Sequence, residues 1–185
     1  TKKTSDGVEL RVHPTLIPAK RLIANVEGAM NAVQVQGDAV GTTLYYGKGA
    51  GAEPTASAVI ADLVDVSRLQ SADPAHRVPH LAFQPGSVVN TTIMPMGEVT
   101  TSYYLRLRVA DVAGVLADIT RVLADNGISI DAMLQREAGD GENQTDLIML
   151  THETKEKNIL AAIAKIESLK TVEGSVTKIR LENLS

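Results

Sequence analysis

Leu107-Arg108-Val109-Ala110-Asp111-Val112-Ala113-Gly114-Val115-Leu116-Ala117-Asp118-Ile119 changes its hydrophobic period partway along. Tyr104, Leu105, Leu107 and Val109 mark a strand, whereas Val115, Leu116, Ile119, Val122 and Leu123 fall on one helical face. Between them Asp111-Val112-Ala113-Gly114 is a turn able to cap the helix, and Asn126-Gly127 supplies a left-handed stop. Further strands follow at Ile128-Ser129-Ile130-Asp131 and from Thr145 to Thr151, with Gly139-Asp140-Gly141-Glu142-Asn143 as a hairpin connection. A second helix from Lys155 to about Leu169 turns Ile159, Leu160, Ile163 and Ile166 inward, and Val176 to Leu181 makes the last strand. This βαββαβ order predicts a ferredoxin-like two-layer sandwich with both helices on one face of the sheet. Its other face, or an edge strand, needs covering, so a dimer is expected.

The chain reads differently nearer its start. Val8-Glu9-Leu10-Arg11-Val12-His13, Ala32-Val33-Gln34-Val35-Gln36 and Thr42-Thr43-Leu44-Tyr45-Tyr46 alternate as strands, and Pro18 to Ala24 fits a short helix. Gly47-Lys48-Gly49-Ala50-Gly51-Ala52-Glu53-Pro54-Thr55 then leads into a second amphipathic helix bearing Val59, Ile60, Leu63, Val64 and Val66, whose apolar face is expected to be buried. Glycines at alternate positions remove the β-carbons from one side of a loop, which lets a flat or anionic ligand approach the backbone. The spacing is not the GxGxxG dinucleotide fingerprint, and Glu53 opposes a phosphate at this helix mouth. Asn25 and Asn31 read as turn formers and Lys48 as a solvated lysine. So few elements give a thin core, and these strands are expected to finish a sheet begun elsewhere, the polar opening Thr1-Lys2-Lys3-Thr4-Ser5-Asp6-Gly7 fitting a truncation or an upstream half.

Composition narrows the functional classes. Of 185 residues, 44% are hydrophobic, as in ordinary globular domains, and no apolar run is long enough to cross a bilayer or resembles a signal peptide. A cytoplasmic location is expected. With no cysteine there is no disulfide, thiolate nucleophile or cysteine-held metal, and His13, His76, His80 and His152 form no metal-binding pair, Pro79 interrupting the one close spacing. A net charge of -4 with one Phe and no Trp argues against a nucleic-acid surface. Pro74, Pro79, Pro85, Gly86, Pro95 and Gly97 punctuate a stiffened connector between the two regular parts.

The segments Thr4-Ser5-Asp6-Gly7-Val8-Glu9-Leu10-Arg11-Val12-His13-Pro14, Ala24-Asn25-Val26-Glu27-Gly28-Ala29-Met30-Asn31-Ala32-Val33, Gly37-Asp38-Ala39-Val40-Gly41 and Tyr45-Tyr46-Gly47-Lys48-Gly49-Ala50-Gly51-Ala52-Glu53-Pro54-Thr55-Ala56-Ser57-Ala58-Val59 resemble, in order, the catalytic domain of bacterial homoserine dehydrogenases. The resemblance implies that Gly51 contacts an NAD or NADP cofactor, with Gly49 and Thr55 beside it. Neither the Rossmann domain nor the catalytic lysine and homoserine-binding acids of that family have a match here. None of Lys2, Lys3, Lys20 and Lys48 sits in a matching motif, so no catalytic residue is assigned and the chain alone is expected to be inactive.

Leu107 to Ile119, with Asn126-Gly127-Ile128-Ser129-Ile130, resembles the ACT regulatory domain. Such domains hold an amino-acid effector between the turn after their first strand and the start of a partner's second strand. By that resemblance Asp111, Val112, Ala113, Gly114 and Val115 face the effector, with Ile128 and Ser129 opposite. A helix N-terminus suits a carboxylate and an acid suits an ammonium, though Asp111 serves equally as a helix cap.

The fold class expected is therefore α+β: a partial mixed sheet of a dehydrogenase catalytic domain over 1–70, a connector over 71–102, and a ferredoxin-like ACT domain over 103–185. The implied activity is NAD(P)-dependent interconversion of L-aspartate 4-semialdehyde and L-homoserine by a homo-oligomer, dimer or tetramer, with L-threonine as effector and no nucleic-acid or membrane partner. The alternative is a self-standing amino-acid-binding regulatory or dimerisation module.

Overall fold

The computed structural model describes residues 1–73, 83, 85–136 and 143–184. The hairpin connection expected at Gly139 to Glu142, and Pro74, Pro79, His76 and His80, lie outside the described residues. The chain forms two compact units, one of Thr1–Ile17 with Thr91–Ser185 and one of Pro18–Asn90.

In the first unit β1 (Lys2–Thr4) and β2 (Gly7–Glu9) form a hairpin, followed by β3 (Thr15–Leu16). The strand expected from Val8 to His13 therefore stops at Glu9. Beyond it Leu10 and Val12 are exposed, while Glu9 is buried and Arg11 is half-buried. The reason is ionic: Arg11 Nη2 lies 3.1 Å from Glu9 Oε2 and 2.9 Å from Glu182 Oε1, so the charged residues of the alternation turn inward.

The second unit opens with a 3-10 turn, Leu22–Asn25, where a helix from Pro18 to Ala24 was expected. The Asn25 side-chain amide donates to the Ala19 and Arg21 carbonyls at 3.2 and 2.9 Å and closes the chain after one turn. β4 (Met30–Gly37) and β5 (Gly41–Lys48) then pair antiparallel in continuous register from Met30 opposite Lys48 to Gly37 opposite Gly41. α1 (Ala52–Ser71) begins two residues before Pro54. Its apolar stripe is not buried as its periodicity suggested: Val59, Ile60, Leu63, Val64 and Val66 are all exposed, Leu63 at 57%. A helical period selects a face, but a single hairpin offers too little apolar surface to cover twenty helical residues.

The remaining elements belong to the first unit. They are β6 (Thr100–Ala110), α2 (Val115–Asp125), β7 (Ile130–Gln135), β8 (Gln144–Thr151), β9 (Thr154–Lys155), α3 (Glu156–Glu167) and β10 (Val172–Leu181). The sheet order is β3-β10-β6-β8-β7, with β9 also pairing with β6. β6 is antiparallel to β8, with Leu105 opposite Met149 and Leu107 opposite Leu147, and antiparallel to β10, with Tyr104 opposite Ile179. Alternate residues Thr101, Tyr103, Leu105, Leu107 and Val109 are buried, and α2 and α3 cover that face through Val115, Ile119, Leu123, Ile159, Ala162 and Ile166. Leu160, expected inward, is exposed, and Ala162 takes the inner position where the helix approaches the sheet. After α2 the stop is a Schellman turn: Gly127 has φ +69°, and the N–H groups of Gly127 and Ile128 donate to Ala124 and Leu123 at 2.9 and 3.0 Å.

The first unit is thus the expected ferredoxin-like sandwich, extended at the β10 edge by β3, which pairs in parallel with Arg180 opposite Thr15 and Leu181 opposite Leu16. Residues 91–94 run beside β2, where Val8 N–H donates to Thr92 O at 2.9 Å and Met94 N–H to Val8 O at 3.0 Å.

Candidate functional site

Gly49, Gly51 and Thr55 fall on one short surface path at the end of β5 and the start of α1. Gly51 is the N-cap of α1 with φ +127°, a value that favours glycine, and its carbonyl accepts from the Thr55 N–H at 3.1 Å. With no cap side chain, the N–H groups of Ala52 and Glu53 begin the helix unbonded within it, and Pro54 has none to offer. The carboxylate of Glu53 stands in that same first turn. The local field therefore suits a neutral flat group better than a phosphate. Lys48 is exposed at the end of β5.

The second set separates into two groups. Asp111, Val112, Ala113 and Gly114 form an exposed turn between β6 and α2, and Ser129 is exposed before β7. Val115 and Ile128, expected to face an effector, bury their side chains in the core. They occupy the first position of α2 and the residue after its Schellman stop, where an inward side chain anchors each end of the helix. Backbone bonds hold the two groups at opposite ends of β8: Asp111 N–H donates to Asn143 O at 2.9 Å, just before that strand, and His152 N–H, just after it, donates to Ser129 O at 2.9 Å. Asp111 does not cap α2. That place belongs to Gly114, in the left-handed region at φ +97°, with no side-chain hydrogen bond to the helix. Among the described residues the Asp111 carboxylate is thus not engaged as a cap, which leaves it able to meet an ammonium group.

A third cluster was not read from the sequence. Glu156 is 3% exposed at the start of α3. It accepts hydrogen bonds from Tyr103 Oη at 2.7 Å and Arg180 Nε at 3.0 Å, and from the Lys178 ammonium. Arg180 Nη2 also lies 2.7 Å from Glu156 Oε1, and Lys178 Nζ stands 5.6 Å from the Tyr103 ring centroid. Burial alone would raise the Glu156 pKa, but the hydrogen bonds from Lys178, Tyr103 and Arg180 outweigh it and hold the carboxyl below its ordinary 4.5. Burial, and then the hydrogen bond to Glu156, pushes the Tyr103 phenol above its ordinary 10. A signal existed in Val176, Lys178 and Arg180, which share one face of a strand although only the first is apolar. Charges in register with a core position call for a buried counter-ion.

Residues 1–64 match the homoserine dehydrogenase family model and residues 103–171 match that of the ACT domain. The homoserine dehydrogenase of Neisseria gonorrhoeae is 56% identical over 184 residues, covering 100% of this chain and 42% of that protein. The homoserine dehydrogenase of Methylobacillus glycogenes is 57% identical over 185 residues, covering 100% of this chain and 43% of its own length. A crystal structure of a homoserine dehydrogenase from Thiobacillus denitrificans matches with a TM-score of 0.89 at 67% identity, covering 100% of this chain and 41% of that one. The fold and these matches define a segment of dehydrogenase type joined to an ACT domain. The chain thus carries a homoserine dehydrogenase segment over residues 1–64 and an ACT domain over residues 103–171, and it spans about 42% of the length of the curated relatives it matches.

Proposed function

We propose that the chain serves in a cytoplasmic, homo-oligomeric enzyme that interconverts L-aspartate 4-semialdehyde and L-homoserine with NAD or NADP, under control of an amino acid bound at the ACT domain. The observation that carries this reading is the Gly51 cap, a side-chain-free helix mouth within the residues that match the dehydrogenase model. Gly51, flanked by Gly49 and Thr55, offers backbone to a flat ring, and Glu53 favours the nicotinamide end of the cofactor over its phosphates. When bound, the nicotinamide supplies or accepts the hydride. This chain's part is to seat the ring, while the nucleotide-binding half and the catalytic lysine belong to the rest of the enzyme.

Control would act through the Asp111 turn. An effector ammonium would pair with Asp111, and its carboxylate would meet the N–H groups at the start of α2. An effect on activity requires the effector to distinguish two states, typically by about 1–3 kcal/mol. Calorimetric titration with L-threonine, against L-methionine, L-isoleucine and L-valine, tests this. Threonine-selective heat lost in Asp111→Ala is expected, and no heat with any of the four overturns the effector assignment.

A second reading, a self-standing amino-acid-binding or dimerisation module, is favoured by the concentration of the buried core in the unit that contains the ACT sandwich. Nicotinamide-dependent oxidation of L-homoserine by the complete enzyme, reduced at least about tenfold by Gly51→Ala, supports the first reading. An amino-acid-binding dimer with no nicotinamide-dependent activity supports the second.

A further inference from the structure

The three alternate glycines of the turn are glycine for different reasons. A β-carbon on Gly47 would meet nothing within 4 Å, and one on Gly51 would touch the Pro54 ring at 3.3 Å but be strained by φ +127°. One on Gly49 would lie 2.3 Å from Asn31 Nδ2, 2.7 Å from its Cγ and 3.1 Å from its Cβ. The Asn31 side chain therefore occupies the place that a side chain at 49 would take. Asn31 sits near the start of β4, opposite Gly47 in the ladder, and Met30 beside it pairs with Lys48, the last residue of β5. Among the described residues its side chain makes one hydrogen bond, a long one from Nδ2 to Ala29 O at 3.5 Å, so close packing against the turn, more than polar pairing with its own strand, defines its place.

We propose that Asn31 is a positioning residue for the cofactor-facing turn: its carboxamide packs into the missing side chain of Gly49 and sets the path along which Gly51 reaches the mouth of α1. The inference rests on the proposed function for the identity of the ligand, whereas the packing of Asn31 on Gly49 stands without it. Asn31 is more than a turn former, because its side chain determines what residue 49 can be. A short amide fits beside Gly49 where a branched or longer side chain would push the turn outward. Small displacements at such a place reduce productive binding steeply.

The test compares Gly49→Ala, Asn31→Ala and the pair Asn31→Gly with Gly49→Ala. In the complete enzyme, Gly49→Ala is expected to raise the KM for the nicotinamide cofactor at least about tenfold while leaving the KM for the amino-acid substrate within about twofold. The pair is expected to recover most of that loss. Wild-type cofactor KM in Gly49→Ala, or no recovery in the pair, overturns the proposal. If the wild-type enzyme shows no nicotinamide-dependent activity, the functional reading fails instead. Amide hydrogen exchange on the 185-residue chain then judges the packing. Asn31→Ala is expected to speed exchange at Thr55 about tenfold, and unchanged exchange refutes the positioning role.

Discussion

At the residue scale Glu156 carries the largest electrostatic consequence. Its carboxylate is shared by a phenol, an ammonium and a guanidinium at the junction of α3 with β6 and β10. Glu156→Gln leaves Lys178 and Arg180 without their counter-charge and is expected to lower unfolding stability by about 3 kcal/mol in urea titrations at pH 7. Tyr103→Phe removes one donor and is expected to cost about 1–2 kcal/mol. Because the folded pKa of Glu156 is depressed, its stabilisation is fully present above the unfolded value of 4.5 and is lost as pH falls through the lower folded value. Urea midpoints of the wild type should therefore fall as pH drops below about 4.5, and Glu156→Gln should flatten part of that slope. Glu98 titrates in the same direction, held at about 2 by hydrogen bonds from Lys155 and Lys157, so Glu98→Gln is the control that separates the two. Gly114 shows a different residue effect. A β-carbon there meets no atom within 4 Å, yet φ is +97°, so Gly114→Ala should destabilise through backbone strain alone, by about 1–2 kcal/mol in the same titration.

At the element scale, β3 and α1 contrast. β3 is only Thr15–Leu16, too short to stand by local preference, and it persists as the outer strand of the sandwich sheet because it pairs with β10 and because Glu182 N–H donates to Leu16 O at 3.1 Å. Arg11 reinforces this edge by joining Glu9 to Glu182. Arg11→Met removes the cation and leaves Glu9 buried beside no counter-charge. The expected loss is about 3 kcal/mol by urea titration, and Arg11→Lys should retain part of it. α1 has length and period in its favour, and yet its apolar stripe is exposed. Leu63→Ser should therefore shift the unfolding midpoint of this chain by less than about 0.5 kcal/mol equivalent, while the same change inside the sandwich, Leu107→Ser, should cost several times more. Equal losses at both positions would mean that α1 is packed as tightly as the core.

At the scale of the whole molecule, stability is unevenly divided. The buried cluster from Tyr103 to Ile166 lies in the unit built from Thr1–Ile17 and Thr91–Ser185. Among the described residues of Pro18–Asn90, none is buried. Native-state hydrogen exchange should resolve the two, with amides of β4, β5 and α1 exchanging at least about 100-fold faster than those at the centre of β6 and β8. A single protection level across both units would contradict this division. The same division separates the two proposed sites: the glycine turn lies in the unit where no described residue is buried, and the Asp111 turn in the unit that holds the core. The unit offered for cofactor contact thus depends most on surroundings beyond its own core.

Local preferences were legible without the fold. The change of period around Gly114, the left-handed stop at Gly127 and the glycine turn before α1 each follow from a few adjacent residues, because backbone sterics and side-chain spacing act over one or two turns. The βαββαβ order followed by adding such readings in sequence. What only the tertiary structure decided are the partnerships between distant residues: Glu156 with Lys178 and Arg180, Arg11 with Glu182, β3 with β10, and Asn31 with Gly49. Alternation in Val8 to His13 could mark two faces but not which one turns inward, since that choice is made by a carboxylate more than a hundred and fifty residues away. The periodicity of α1 likewise defined a stripe without supplying the surface to cover it, because burial is a property of neighbours brought together by the chain and not of the sequence that presents them.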